Sequence, residues 1–459
     1  MNDRLTARGA LAAVADHFEE LPEPPEPSEP SIGGGASRPD GPIGWAGYAE
    51  ARAAATARTG ETESVVCGIA TIGGRDAVAV SFEFGFLGGS LGERTGDRLA
   101  AAHATARERR LPVVSLIATG GSRMQEGMRA LTQLQRVAHE SALTRAAGLP
   151  QLAVARDPTT GGGWATLGAG ADVTLGLAGA QIGFAGSRVR PADADPAAYT
   201  AEAQLAAGHL DAVVGPADLP ARLGRYLTLL AAPSAPAEPV EPPAALGADA
   251  LPETGWAAVR GARAAARPRA AAYLDAYFDT REPISGDRCG GVDDGLLAGF
   301  GRRAGRTVGY AAQLGTRTTP AGYRTAARLL RLAGRLGHPV LTLVDTPGAA
   351  NDAAAERAGA GPAIADLFAA VATSPVPVTS LLIGEGGSGG ALALAAPGNT
   401  WATPDSYFAV INPEAAAAIL KRPPSAARTT ADELRLRPQD LLDLGIIRGI
   451  VPPRPRPGR

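Results

Sequence analysis

A chain of 459 residues is too long for one ordinary hydrophobic core and suits two domains of roughly 200 residues each. Its formal charge of -2 leaves none of the basic footprint that nucleic acid or an acidic membrane surface requires, so the expected partner is a small molecule or another protein. Two cysteines, Cys67 and Cys289, with no CxxC pair, give neither a disulfide framework nor a cysteine zinc site, and no run of about 18 apolar residues occurs, so a soluble, reduced, cytoplasmic protein is expected.

In chain order, residues 1–42 read as an N-terminal segment and linker, with a proline-rich break from Pro22 to Pro42. A first domain is expected at 43–230, a Pro/Ala-rich linker at 231–253 and a second domain at 254–459. Each domain alternates short apolar strands with amphipathic helices, an α/β pattern.

In the first domain the run Leu111 to Ala118 is a buried strand ending at Gly120-Gly121, followed by a helix over 124–147. A second strand, Leu152 to Ala155, stops at a turn containing Gly161-Gly162-Gly163. The second domain repeats the plan: Pro339 to Val344 ends at Asp345-Thr346-Pro347-Gly348, a helix follows near 363–372, and Val378 to Ile383 ends in Gly384-Glu385-Gly386-Gly387-Ser388-Gly389-Gly390-Ala391. From Gly121 to Gly162 is 41 positions and from Gly348 to Gly390 is 42, which indicates a duplicated unit.

A glycine turn between strand and helix lets backbone N–H groups face a crevice, because glycine accepts positive φ and has no Cβ to obstruct a ligand. Two such turns brought together by a sheet can aim two donors at one oxygen, an oxyanion hole, in which each donor is worth about 2.7–4 kcal/mol. Neither GxxxxGK[ST] nor a GxGxxG after a first strand with a following acidic residue is present, and HExxH is missing as well. The five histidines read as structural, and Asp157 and Asp345 as caps of turn amides more than as general bases. Abundant N–H donors with no obvious side-chain base suit a reaction whose cofactor or substrate supplies the base, such as enolate formation on a thioester with carboxyl transfer.

Phe86 to Glu93, the run Thr119-Gly-Gly-Ser-Arg-Met-Gln-Glu-Gly127, Asp157 to Gly162 and Ile182 to Arg188 resemble the β subunit of bacterial acetyl-CoA carboxylase carboxyltransferase. Gly286 to Arg288, Asp293-Asp294, Pro320 to Arg324, Val344 to Ala349, Ile383 to Ala393 and Val410 to Glu414 resemble the α subunit, in the same order. Leu5 to Arg8 and Phe18 to Leu21 are similar to the stretch after the β subunit's zinc ribbon, but the four-cysteine ribbon itself is missing.

The resemblance implies two tandem crotonase-like (ClpP/crotonase) β-β-α superhelix domains, acyl-CoA on the β-like half and carboxybiotin on the α-like half. Carried over, Gly121 and Ser122 with Gly161 and Gly162 hold the thioester oxygen, and Gly348 and Ala349 with Gly390 and Ala391 hold the biotin ureido oxygen. Gly88, Gly89, Gly120, Arg123, Gly387 and Gly389 are the accompanying substrate-binding positions.

The family mechanism releases CO2 from carboxybiotin, removes the α proton with the freed ureido nitrogen and carboxylates the enolate, giving malonyl-CoA or a substituted malonyl-CoA for fatty acid synthesis. It implies a coenzyme A thioester as substrate, no metal, a biotin carboxyl carrier protein and a biotin carboxylase as separate partners, and at least a homodimer. Two departures fall on the biotin side: Leu314 stands where the family has a lysine, and Ala360 closes a run that is more polar in relatives. A malonate-type decarboxylase and a catalytically silent scaffold paralogue are the alternatives.

Overall fold

A computed structural model describes residues 4–25, 40–233 and 235–454. The chain divides into two units, Met1–Ala231 and Ala232–Arg459.

The first unit opens with helix α1 (Ala7–Val14) and strand β1 (His17–Glu20), then α2 (Tyr48–Thr59), the hairpin β2 (Val65–Ile72) and β3 (Arg75–Phe82), and α3 (Glu93–Arg109). It continues through β4 (Val113–Thr119), α4 (Met128–Ala146), β5 (Gln151–Thr160), β6 (Val173–Leu177), β7 (Ile182–Gly183), β8 (Ala212–Val214) and α5 (Leu219–Leu230). The sheet order is β1-β2-β3-β4-β5-β6-β8, with β7 paired to the end of β5. Strands β3 to β8 run parallel, and every residue of β4 is buried, as expected of a parallel strand covered on both faces. Val78, Val80, Ile117, Leu99, Ala102 and Val137 meet in the core between sheet and helices.

The second unit is built the same way. Helix α6 (Gly255–Arg263) precedes α7 (Ala270–Tyr277), β9 (Thr280–Ile284), β10 (Leu296–Arg303), β11 (Arg306–Gln313), α8 (Pro320–Leu336) and β12 (Val340–Thr346). Then come α9 (Ala360–Ala372), β13 (Val378–Gly387), α10 (Ser388–Leu392), β14 (Thr400–Ala402), β15 (Tyr407–Ala409) and β16 (Gly449–Ile450). The order β9-β10-β11-β12-β13-β14-β16, with β15 on the end of β13, matches the first sheet strand for strand.

The hydrogen-bond register turns this likeness into a residue-by-residue correspondence. Strand β5 shifts register on β4 between Ile117 and Thr119, pairing Thr119 with Thr159, and β13 shifts on β12 between Val344 and Thr346, pairing Thr346 with Gly386. Gly121 therefore corresponds to Gly348, Ser122 to Ala349, Gly161 to Ser388 and Gly162 to Gly389. The spacing between the turns is 41 positions in both halves, so the partner of Gly162 is Gly389, one residue before the Gly390 that the sequence spacing picks out.

Described parts of both segments expected outside the domains belong to the folded units, while residues 26–39 of the first expected linker lie outside the described residues. Helix α1 and β1 match α7 and β9, so the repeat begins near residue 7 and not at 43. The α1 N-terminus is tied down by Ala7 N–H donating to the Glu83 carboxylate at 2.7 Å and by Arg156 donating to the Leu5 carbonyl. The described part of 231–253 lies against the second unit: Val240 and Glu241 accept hydrogen bonds from Thr379 and Tyr277, and Ala245 bridges Pro453. Ala245, Val240 and Leu246 pack in the apolar core of that unit, and the backbone carbonyls add to the anchoring.

The strands also outrun their sequence estimates. Gln151–Thr160 and Val378–Gly387 continue through the polar ends that read as turns, because β7 and β15 supply fresh ladder partners beyond the bend. Conversely, the helix expected from residue 124 starts at Met128, after a 3-10 turn over Met124–Glu126.

Candidate active site

Each unit brings two backbone turns together at the carboxyl ends of its central parallel strands, one after β4 or β12 and one after β5 or β13. In the first turn of each pair the threonine that ends the strand caps the glycine: Gly121 N–H donates to Thr119 Oγ1 and Gly348 N–H to Thr346 Oγ1, both at 3.1 Å. The following residue sits in an isolated parallel bridge, Ser122 opposite Leu91 and Ala349 opposite Thr318. There the Gly121 carbonyl and Arg123 N–H face Leu91 at 2.9 Å each, and the Gly348 carbonyl and Ala350 N–H face Thr318 at 3.2 and 2.9 Å. Alternation along an extended backbone then points the Ser122 and Ala349 N–H groups to the opposite side.

Only glycine suits the position before each bridge, since φ is +113° at Gly121 and +135° at Gly348. The two turns of a pair also touch: a Cβ on Gly161 would lie 2.8 Å from Gly121 Cα, and one on Gly387 2.7 Å from Gly348 N. The second turn opens a short helix, in which the first N–H groups have no intrahelical acceptor. Gly161 N–H is taken by the Phe184 carbonyl at 3.0 Å, whereas the amides of Ser122, Gly162, Ala349 and Gly389 donate to no acceptor among the described residues. Each unit thus holds one matched pair of uncommitted donors.

The other expected residues fall in several places. Gly88 and Gly89 pack behind the first turn, with Gly120 N–H donating to the Gly88 carbonyl at 2.9 Å and the Ala118 carbonyl filling the space beside Gly89. Gly387 ends β13, and Gly390 and Ala391 lie buried one and two residues beyond Gly389. Arg123, expected against substrate, is instead enclosed, with 0% of its side chain exposed. It binds both oxygens of Glu63 at 2.5 Å, Glu126 at 3.1 Å and the Ser90 carbonyl at 2.8 Å. Burial alone would raise the Glu63 carboxyl, yet the hydrogen bonds and charge of Arg123 hold it below the usual range.

Asp157 and Asp345 do not correspond to one another, since Asp157 is on β5 and Asp345 on β12. Asp157 accepts Gln181 N–H at 3.1 Å and pairs with Arg4, while buried Asp345 accepts Glu385 N–H and pairs with Arg267 at 2.6 Å and Arg269 at 3.2 Å. Both carboxylates thus cap backbone amides. None of the histidines borders the turns; His103, hydrogen-bonded to Thr144, is pushed down to about 4 by burial and by Arg107 and stays neutral.

The biotin-side departures are absorbed by packing. Leu314, partly buried, packs against the apolar cluster that contains Tyr273, Leu274 and Leu343, and Ala360 clusters with Ala350 and Ala355. Leu314 follows Gln313, so it occupies the position that Glu83 holds after Phe82, where that carboxylate caps α1.

Sequence reading placed Gly389 among the substrate-binding positions but gave the donor role to Gly390, and it missed the side chains behind α10 and Ser388, a serine with φ +56° where the first unit has Gly161 at +64°. The equal spacing of 41 was available to find the donor. Exposed apolar side chains stand beside both turn pairs, Phe184 at 73% and Val410 at 74%, each one residue past the strand that pairs with β5 or β13.

Two tandem α/β units with paired amide turns define the class of crotonase-like carboxyltransferases. Residues 44–222 match the carboxyl transferase domain family and residues 252–457 the acetyl co-enzyme A carboxylase carboxyltransferase-like family. The acetyl-coenzyme A carboxylase carboxyl transferase subunits beta/alpha of Salinispora arenicola is 38% identical over 418 residues, covering 86% of this chain and 74% of the relative. A relative in Mycobacterium bovis, named "Probable biotin-dependent acyl-coenzyme A carboxylase beta3 subunit", is 35% identical over 407 residues, covering 86% and 81%. The crystal structure of transcarboxylase 12S with hydrolysed methylmalonyl-coenzyme A superposes with a TM-score of 0.77 at 20% identity, over 99% of this chain and 91% of that one. This chain belongs to the acetyl-CoA carboxylase carboxyltransferase family, with its β-like and α-like halves fused.

Proposed function

We propose that the chain moves a carboxyl group from carboxybiotin, borne by a separate biotin carboxyl carrier protein that a biotin carboxylase reloads, to the α carbon of acetyl-CoA or a related acyl-CoA. The observation that carries this reading is the pair of uncommitted amides in each unit. Ser122 and Gly162 would hold the thioester oxygen as negative charge develops on it, and Ala349 and Gly389 the ureido oxygen of biotin, one position before the expected Gly390 and Ala391. The amides are fixed by bridges and strand ends before substrate arrives, so they cost little reorganisation at the moment of reaction. Among the described residues no carboxylate or imidazole hydrogen-bonds to either pair, in keeping with a proton removed by the freed ureido nitrogen.

The exposed Met124, Met128 and Phe184 beside one turn pair, and Leu392 and Val410 beside the other, are surfaces for acyl-CoA, carrier and a second protomer to cover, in keeping with a homo-oligomer. No helix among the described residues is long and apolar enough to cross a membrane, and we place the reaction in the cytoplasm.

Turnover against acetyl-, propionyl- and longer acyl-CoAs with a carboxylated biotin donor tests the assignment. Formation of the matching malonyl-CoA derivative from at least one of them is expected. No product from any, with acyl-CoA still bound, would leave the silent scaffold as the better account.

A further inference from the structure

Although the two units share one fold, what stands behind their second turns differs. In the second unit Tyr323, on α8 and 1% exposed, donates its hydroxyl to the Gly390 carbonyl at 3.1 Å. Gln313, at the end of β11 and equally buried, accepts Asp345 N–H at 3.2 Å, donates to Thr318 Oγ1 at 3.0 Å and approaches the Gly390 carbonyl at 3.5 Å. Thr318 is the residue whose backbone bridges the Gly348–Ala350 turn. The two side chains therefore reach both halves of the donor pair: Gln313 through Thr318 to the Ala349 turn, and Tyr323 through Gly390 to the Gly389 turn.

The Gly390 carbonyl is available because α10 tightens at its end. Its regular acceptor role toward Leu394 N–H is lost when that amide bonds to Ala391 at 3.2 Å. Tyr323 fills the gap, and burial pushes its phenol upward, so the hydroxyl remains a donor. It stands 2.6 Å from where a Cβ on Gly390 would be, so turn and buttress fit only with glycine there. In the first unit Phe82 takes the place of Gln313, pairing across the hairpin with Val65 as Gln313 pairs with Leu296. Gly96 takes the place of Tyr323, four residues past the helix cap, and no side chain hydrogen-bonds the Gly163 carbonyl among the described residues.

We infer that Tyr323, assisted by Gln313, is a positioning residue that sets the aim of the Ala349 and Gly389 amides toward the carboxyl donor, a device the acyl-CoA half does without. The inference rests on the assignment of carboxybiotin to the second unit. Its chemical sense is that the ureido oxygen gains charge only when the carboxyl group leaves, so a small misalignment there is felt in turnover more than in binding.

The test uses the full chain and decarboxylation of malonyl-CoA with free biotin, followed as acetyl-CoA release, in wild type, Tyr323→Phe and Gln313→Leu. Tyr323→Phe should lower the biotin-dependent kcat by about tenfold, from the cost of a misplaced contact. The KM for malonyl-CoA should stay as it is, and Tm should move by no more than about 2–4 °C, as for loss of one hydrogen bond. Gln313→Leu should lower kcat in the same direction. A wild type active with biotin and a Tyr323→Phe of equal kcat overturns the inference alone, and so does a loss that raises the malonyl-CoA KM with kcat unchanged. A wild type that releases acetyl-CoA at one rate with and without biotin overturns the carboxyltransferase reading, and this inference falls with it.

Discussion

Gly390→Val should abolish measurable carboxyl transfer, a loss of about 10²–10³-fold or more, while acyl-CoA still binds. A Cβ at this position meets the Ala349 amide nitrogen directly, comes within 2.6 Å of the Tyr323 hydroxyl and within 3.0 Å of the Gly348 carbonyl carbon. The neighbours are backbone and the buried phenol of a helix residue, so none can yield as a flexible chain end would. The turns must part, and the Ala349 and Gly389 donors separate with them. Gly121→Val should do the same to the first pair through its φ of +113°, which a β-branched residue does not adopt. Steady-state kinetics with acyl-CoA binding measured in parallel separates the two: Gly390→Val keeps acyl-CoA affinity, and Gly121→Val loses it.

The largest effect on stability should come from Arg123→Met. Arg123 is enclosed against Glu63 and Glu126, and Tyr48 hydroxyl donates to Glu126 in the same cluster. Removing the cation strands buried carboxylates, at a cost of about 3–5 kcal/mol. For a domain of this size that lowers Tm by roughly 10 °C, read by calorimetry. The pH dependence has a definite sign. Glu63 is held below its usual range in the folded chain, so its contribution is complete above the unfolded carboxylate value and is lost as pH falls through the acid range. The variant should therefore show a flatter stability profile on acidification than wild type, and adding Glu63→Gln to Arg123→Met should recover part of the loss.

Much of the architecture was legible because the chemistry of the turns demands glycine, and glycine clusters after apolar runs survive in sequence as plain signals. The duplication showed through for the same reason. The offset at Gly389 did not, because Gly389 and Gly390 are adjacent glycines that give spacings of 41 and 42, and the ladder register, Thr346 opposite Gly386, decides between them. Arg123 read as a substrate contact because it sits inside a motif, while its burial depends on Glu63, sixty residues earlier. Residues 1–42 read as outside the first domain because of the proline-rich break from Pro22 to Pro42, and residues 231–253 read as a linker because they are poor in bulky apolar side chains. What places them is long-range pairing and packing, β1 on β2 with Leu11 and Val14 buried for one and Val240, Ala245 and Leu246 on the second core for the other, together with hydrogen bonds that involve Glu83, Thr379 and Tyr277.

Hydrogen–deuterium exchange of the full chain, with acyl-CoA and with biotin added separately, tests the division of labour between the two donor pairs most directly. Acyl-CoA should slow exchange in peptides holding Ser122 and Gly162, and biotin in those holding Ala349 and Gly389. Protection in the reverse pattern, or at neither pair while both ligands bind, would contradict it.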